Sequence, residues 1–167
     1  RSTPNFSTPH DERYNLSRRS RYGSPIFCRG QALRILVCTI MKITKIETIH
    51  IGEFANILFV RIHTDSGMVG LGETYYTPQA TSAFIHEIAA PLLLGRDPIN
   101  VEGHWNRLYE ATHVYGNRGN EMRAISAVDV ALWDLLGQQA GLPIYRVLGG
   151  ASRDSIRVYN TCAGTLY

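Results

Sequence analysis

The chain has 167 residues, 44% of them hydrophobic, which is enough for one globular domain with a buried core. Its formal net charge of +3 comes from residues 1–40, where seven arginines stand against two acids, because residues 41–167 hold 10 basic and 12 acidic side chains. This distribution argues against a nucleic-acid-binding surface on the folded part. No apolar run approaches the length that crosses a bilayer, which argues against a membrane protein.

Residues 1–40 are rich in Ser, Pro and Arg and show no clear periodicity. Three interpretations are open: sequence upstream of a true start at Met41, a disordered extension, or an organellar transit peptide. The first is favoured, and the third is the weakest because residues 33–40 show no amphipathic helix ahead of the first strand. We therefore expect a disordered or non-native extension over residues 1–40 and a folded part that begins at Met41.

Three strand patterns come next. Residues 42–51 are rich in Ile and Thr, and residues 56–64 alternate between an apolar face and a mixed one. Residues 65–67 have the composition of a hairpin turn, and residues 68–74 return as a third strand. The pattern predicts a three-stranded antiparallel meander. Two glycines of the third strand indicate close approach of another element: Gly70 and Gly72.

Helical patterns follow the strands. Thr77 is a candidate N-cap and Pro78 a first helical residue, which predicts a helix over residues 77–89. A second helix is predicted over residues 101–112, and a loop over residues 115–119 leads into a longer one. Strands followed by helices are typical of an α+β domain.

The longest helix is predicted over residues 121–140, with Asn120 as its N-cap and Gly141 as the residue that ends it. Apolar residues occur almost all round this helix, which indicates burial between two layers. Asp129 and Asp134 therefore need hydrogen-bond or ion-pair partners. A core helix with satisfied polar groups is the favoured interpretation, and direct catalysis by either Asp is the alternative.

The remaining sequence predicts the start of another domain. Pro143 stops the long helix, residues 144–150 form a short helical turn and a Gly-Gly bend, and residues 155–160 form a new strand. Such a strand has no partner other than the meander. We therefore expect a truncated second domain over residues 141–167.

The stretch over residues 124–150 resembles the N-terminal signature of the mandelate racemase/muconate lactonizing branch of the enolase superfamily. Eleven positions carry the match: Ala124, Ser126, Ala127, Asp129, Ala131, Leu132, Asp134, Gly137, Gln138, Pro143 and Ile144. Val147 stands where the signature has a leucine. The resemblance extends from about Met41 to Tyr167 and covers the first third of such an enzyme.

The resemblance implies an α+β fold. Residues 41–140 would form an enolase-like capping domain, a meander followed by a helical bundle, and residues 141–167 a linker and the first strand of a truncated (β/α) barrel. Such enzymes remove the proton alpha to a carboxylate and stabilise the enediolate with Mg²⁺ on barrel carboxylates. Their base, a Lys or a His, also lies on later barrel strands. We therefore expect Mg²⁺ in the intact enzyme, but no catalytic residue and no bound metal within these residues.

The resemblance implicates two loops of the capping domain in substrate choice. The first holds Phe54 and Asn56, and the second holds Tyr75 and Tyr76. Turn chemistry is the alternative role for Asn56, and packing under the loop is the alternative for the tyrosines. Glu73, just ahead of the second loop, is interpreted as structural.

The end of the last predicted strand offers two further candidates, Asn160 and Cys162, because the carboxyl ends of barrel strands face the active site. Cys162 has no base near it in sequence, so lining the pocket is favoured over a nucleophilic role. Solvated or core roles are the default for five histidines: His50, His63, His86, His104 and His113.

The runs MKITKIETIHI and HEIAAPLLLGRDP are most similar to sugar-acid dehydratases of the galactonate and mannonate type. The resemblance thus implies a Mg²⁺-dependent hydro-lyase acting on a small sugar acid, and a homo-oligomer. A racemase, epimerase or lactonizing enzyme of the same family is the alternative. A stand-alone, non-catalytic interaction domain is the alternative from another class. The three cysteines lack disulfide and metal-ligand spacing, which favours a reducing, cytoplasmic compartment.

Overall fold

The computed structural model describes residues 40–116 and 118–159. The predictions made for residues 1–39, for all three cysteines and for Asn160 lie outside these described residues. Within them, no helix combines the length and the apolar character needed to cross a bilayer.

One antiparallel sheet forms the first layer of the fold. Its strands are β1 (Ile43–His50), β2 (Ile57–Thr64) and β3 (Val69–Tyr75), in the order β1-β2-β3. The β2–β3 hairpin turns at Gly67, whose φ is +85°. The predicted meander is confirmed, and each strand end lies within one residue of its predicted position.

The first helical segment is longer and less regular than predicted. Helix α1 (Pro78–Phe84) continues through a π-helical turn (Ile85–Ala89) into α2 (Ala90–Leu93). Pro91 has no N–H to donate to the Glu87 carbonyl, so the regular α-helical ladder cannot continue past it. The wider π turn lies immediately before this break.

The next two helices match their predictions closely. Helix α3 (Val101–Thr112) has the predicted bounds and is followed by a 3-10 turn (His113–Tyr115). Helix α4 (Asn120–Ala140) is the longest, and it ends at Gly141 in the left-handed conformation, with φ +63°. Glycine adopts this conformation without the steric penalty that a Cβ brings.

The predicted N-cap of α4 is wrong. Gly119 occupies the cap position and Asn120 is the first helical residue. The Glu121 carboxylate caps the helix instead, because its Oε1 accepts hydrogen bonds from the amides of Arg118 (3.1 Å) and Gly119 (2.8 Å). Hydrogen bonds from the backbone amides of Glu121 itself, Gly119 and Arg118 lower the pKa of this carboxyl. Asn120 Oδ1 accepts a hydrogen bond from the Thr77 hydroxyl, which occupies the group that was expected to cap.

Beyond α4 the prediction is half right. Helix α5 (Ile144–Val147) is the expected helical turn, and Gly149 and Gly150 make the bend with φ of +110° and +99°. The strand predicted over residues 155–160 is not formed, since its described part, residues 155–159, belongs to no sheet. Tyr159 is 89% exposed. A single strand is stable only beside a neighbour, and the available edge of β3 is already covered by α4.

Helix α4 packs across the sheet along a line of small residues. A Cβ added to Gly72 would lie 2.0 Å from the Ala127 carbonyl oxygen, and one added to Gly70 would lie 2.1 Å from the Ala131 carbonyl oxygen. Only glycine permits this distance, so the close approach predicted at both positions is confirmed. The core between the layers contains these buried residues: Ile43, Ile46, Leu58, Val60, Ile62, Ile125, Val128, Leu132 and Leu135.

Two polar side chains of α4 satisfy the free edge of β3. The Leu71 amide donates to Asp134 Oδ2 at 2.9 Å, and Gln138 Nε2 donates to the Val69 carbonyl at 2.9 Å. Gln138 Nε2 also lies 3.0 Å from Asp134 Oδ2. Asp134 thus has the hydrogen-bond partners that the sequence required, and its contacts fit a structural role. They also block the edge of β3 against pairing with another strand.

Asp129 has a less favourable environment. Burial, and the charge of Glu102 on α3, raise the pKa of Asp129 above its ordinary value of 3.8. The Trp133 side chain, one helical turn along α4, lowers the pKa of this carboxyl, but it is the smallest of the influences on it. Ionisation of this carboxyl therefore costs stability, and the interpretation of Asp129 as a satisfied polar group stays a prediction.

Candidate functional site

The structure brings the two loops of the predicted site together at one end of the sheet. Ile57 and Tyr75 are paired at the last rung of the β2–β3 ladder, and the Tyr76 amide donates to the Asn56 carbonyl at 2.7 Å. Asn56 is half-buried, whereas Phe54 and Tyr76 are 46% and 47% exposed. All four residues predicted on these loops therefore lie on one edge of the domain.

The second loop has a strained backbone. Tyr76 and Thr77 have φ of +66° and +47°, and among the described residues they alone combine a positive φ with a side chain. This left-handed region is costly for any residue with a Cβ, by about 1–2 kcal/mol each. Thr77 precedes Pro78 at the start of α1 as predicted, but its hydroxyl makes no cap because it donates to Asn120.

Arg123 on the first turns of α4 completes this edge, and the sequence did not indicate it. Its Nη1 donates to the Tyr75 carbonyl at 2.5 Å, and its Cζ lies 5.3 Å from the centroid of the Tyr76 ring. The ring centroids of Tyr75 and Tyr76 are 4.0 Å apart, and the two ring planes are tilted by 59°. Arg123 lies 48 residues after Tyr75 in sequence. Only the packing of α4 on β3 reveals their contact, so no local pattern could have found it.

A polar cluster joins β1 to α1 beside the first loop. Thr48 Oγ1 lies 2.8 Å from Ser82 Oγ and 2.9 Å from His86 Nε2, and His50 Nε2 lies 3.3 Å from the Ala55 carbonyl oxygen. A groove of about 440 Å³ opens here, lined by Thr48, His50, Leu58, Pro78, Gln79, Ser82 and Ala83. The cluster ties the strand that leads into the first loop to the helix that follows the second.

His104 has the core role that was the default expectation. It is 1% exposed, and its Nε2 lies 2.7 Å from the Asp97 carbonyl oxygen, so the proton is on Nε2. Arg107 Nη1 is 3.3 Å from the other ring nitrogen. Burial is the main cause that lowers the pKa of His104 below its ordinary value, so the ring stays neutral and structural.

The described residues do not form a metal site. Nowhere in residues 40–116 and 118–159 do three or more His, Cys, Asp or Glu side chains converge as metal ligands. Glu73 is exposed on β3. Asn160 and Cys162, the candidates on the expected barrel strand, lie outside the described residues.

An apolar groove of about 560 Å³ lies away from the two loops, between β3, α4 and α5. Its lining is mostly hydrophobic: Leu71, Val130, Trp133, Asp134, Ile144 and Leu148. Val130 and Leu148 are among the exposed large hydrophobic residues of the chain. A contiguous apolar surface of this kind is typical of interaction sites and ligand-binding grooves.

An antiparallel meander, a helical layer that meets it through glycines, and polar loops at one sheet end together define the N-terminal domain of an enolase-like protein. Residues 37–149 match the family model described as mandelate racemase/muconate lactonizing enzyme, N-terminal domain. The chain therefore belongs to the mandelate racemase/muconate lactonizing enzyme family, and the resemblance drawn from its signature is confirmed.

Two curated relatives of the chain are named as sugar-acid dehydratases or members of their family. A D-mannonate dehydratase of Novosphingobium aromaticivorans is 41% identical over 128 residues, which cover 75% of this chain and 31% of that protein. A D-galactonate dehydratase family member of Pseudarthrobacter chlorophenolicus is 39% identical over 127 residues, which cover 74% of this chain and 31% of that protein. The chain thus spans about a third of the length of the curated relatives it matches.

Solved structures confirm the fold. An enolase protein from Sargasso Sea environmental sequence is 42% identical with a TM-score of 0.68, over 74% of this chain and 33% of that one. A mandelate racemase/muconate lactonizing protein from Paracoccus denitrificans, complexed with magnesium, is 34% identical with a TM-score of 0.63, over 68% of this chain and 31% of that one.

Proposed function

We propose that this chain supplies the capping region of a Mg²⁺-dependent sugar-acid dehydratase, an enzyme that removes the α-proton of an aldonic acid and expels water. The observation that carries the proposal is the edge formed by Asn56, Tyr75, Tyr76 and Arg123, where backbone and ring contacts hold together residues that bear amide, phenol and guanidinium groups. Such groups suit a ligand with many hydroxyls. Relatives named for D-mannonate and D-galactonate dehydration support the substrate class.

The proton abstraction itself needs residues beyond those described. It requires a base within hydrogen-bond reach and a group that holds the developing negative charge. The described residues do not fit Mg²⁺. The two lysines of the sequence, Lys42 and Lys45, lie at the start of β1, whereas the loops lie at its other end. Lys45 Nζ is also 2.9 Å from Glu47 Oε1.

In this proposal the described residues bind and orient the substrate and exclude water. Asn56 and Tyr76 are joined through their backbones, so the two loops act as one unit. Contacts of such loops act on binding and closure rather than on the proton transfer. The apolar groove at Val130 and Leu148 supports the same assignment, because a capping region has a second protein layer to contact. A cytoplasmic, homo-oligomeric enzyme is part of the proposal.

A chimera tests the proposal. Residues 41–150 replace the matching segment of the N. aromaticivorans D-mannonate dehydratase, and a panel of aldonic acids is assayed with Mg²⁺. We expect dehydration of at least one acid by the chimera and none by the 167-residue chain alone. A folded chimera that binds Mg²⁺ like its parent but dehydrates nothing would refute the proposal. Products epimerised at the α-carbon would favour a racemase or epimerase, and turnover by the chain alone would show that the site is misplaced.

A further inference from the structure

We infer that Arg123 is a positioning residue for substrate selection: it holds the backbone of residues 76–77 in its left-handed conformation and so fixes the orientation of Tyr76. The inference rests on the proposed function for the part that concerns substrate. The claim that Arg123 holds the backbone and the ring of Tyr76 is independent of the proposed function.

The backbone of the second loop is strained. Two consecutive residues with side chains, Tyr76 and Thr77, have positive φ. Such a conformation persists only where the surroundings over-determine it. The segment between β3 and α1 would relax toward ordinary backbone angles if those surroundings were removed, and the direction of the Tyr76 ring would change with them.

Helix α4 and the first loop supply those surroundings. Arg123 donates to the Tyr75 carbonyl, just ahead of the strained pair. Asn120, one turn earlier on α4, accepts a hydrogen bond from the hydroxyl of Thr77, the second residue of the strained pair. The Tyr76 amide between them donates to the Asn56 carbonyl at 2.7 Å. The strained segment is therefore anchored in turn by helix α4, the first loop and helix α4 again.

Arg123 also contacts the side chain of Tyr76. The Arg123 guanidinium lies over its ring at 5.3 Å, a cation–π distance, while its Nη1 is committed to the Tyr75 carbonyl. One planar group thus fixes both the backbone ahead of Tyr76 and the ring itself. Lysine has a charge and a donor but no planar group, so it cannot replace both contacts. Tyr76 is 47% exposed at the edge where the two loops meet, so its ring forms part of the surface that a substrate would contact.

Hydrogen–deuterium exchange on the full 167-residue chain tests the structural part. The variants are Arg123→Ala and Arg123→Lys. The matched control is Arg146→Ala, which removes an exposed arginine whose Cζ lies 6.0 Å from the Tyr145 ring. We expect exchange of the Tyr76 amide to rise about tenfold in Arg123→Ala, less in Arg123→Lys, and not at all in the control, with the amides of β2 unchanged in all three. Unchanged exchange at Tyr76 in both Arg123 variants would overturn the inference, and so would equal acceleration throughout the sheet in Arg123→Lys.

The substrate part is tested in the chimera described above. We expect Arg123→Ala and Arg123→Lys to change the ratio of kcat/KM between D-mannonate and D-galactonate, about tenfold for Ala and less for Lys, through KM more than kcat. Arg146→Ala should leave the ratio unchanged. An active chimera whose preference is the same with and without Arg123 would overturn the inference. A chimera that is inactive even with Arg123 in place would instead count against the proposed function.

Discussion

Substitution of Gly72 by alanine should strongly destabilise the fold, because this glycine sets the distance between β3 and α4. The added Cβ would lie 2.0 Å from the Ala127 carbonyl oxygen and 3.2 Å from the Ala131 amide nitrogen. Both are backbone atoms of the longest helix, so no side-chain rotation relieves the overlap. The helix must retreat by more than about 1 Å, since non-bonded heavy atoms prefer separations of about 3.5 Å or more.

The expected loss in the free energy of unfolding is about 3 kcal/mol, the upper part of the range for overpacked cores. That loss is a large fraction of the stability of a typical domain, and it corresponds to a fall in Tm of roughly 10 °C. The backbone of Gly72 itself tolerates alanine, because its φ is not in the positive region. The loss of stability therefore reports how closely α4 packs on the sheet, and not backbone strain at Gly72.

Gly52→Ala is the matched control. Gly52 has no atom within 4 Å of the added Cβ and no positive φ, so its replacement should change the free energy of unfolding by less than about 1 kcal/mol, in either direction. Urea denaturation of the full chain, followed by circular dichroism, gives both values. Equal stabilities of the Gly72→Ala and Gly52→Ala variants would refute the account of how α4 packs on the sheet.

Two further predictions concern titratable groups: His104, which is buried, and Asp129, which is half-buried. The pKa of His104 is lower in the folded chain than its ordinary 6.5, so its neutral form contributes stability that is present above about pH 6.5 and lost as the pH falls toward the folded-state pKa. When Tm is measured from pH 8 to pH 5, it should therefore drop less in His104→Gln than in the parent chain. The pKa of Asp129 is raised above 3.8, so its charge costs stability at neutral pH. Asp129→Asn, which removes the charge with little change of shape, should raise Tm at pH 7, and the gain should shrink as the pH falls through the folded-state pKa of Asp129. A variant no more stable than the parent at pH 7 would contradict this.

The sequence predicted most of the elements because their signals are local. Alternation marked the strands, Gly141 marked the end of α4, and the glycines of β3 marked a close contact before its partner was known. The N-cap of α4 was missed because the Asn120 side chain bonds Thr77, a residue distant in sequence, and leaves the capping to Glu121. Tertiary contacts decided that competition, and no local pattern reports them.

The candidate site shows the same division. The two loops lie together because each adjoins a strand end, and ladder pairing brings strand ends together, although Tyr75 is the last residue of β3 and not a loop residue. Arg123 was not predicted, since its contact with the tyrosines depends on the angle at which α4 crosses the sheet. The strand predicted over residues 155–160 failed for a related reason. Its alternating side chains satisfy the local pattern, but a strand also needs a neighbour, and the edge of β3 is covered by Asp134 and Gln138.

The most direct test of the central claim, that these loops choose the substrate while residues elsewhere do the chemistry, is to measure kcat/KM and the Mg²⁺ Kd of the chimera with Asn56→Ala. The account predicts a fall of about tenfold in kcat/KM for the preferred sugar acid, a smaller fall for poor substrates, and an unchanged Mg²⁺ Kd. Asn106→Ala, on the exposed side of α3, is the control and should change neither quantity. Equal losses for every acid together with weaker Mg²⁺ binding would contradict the account.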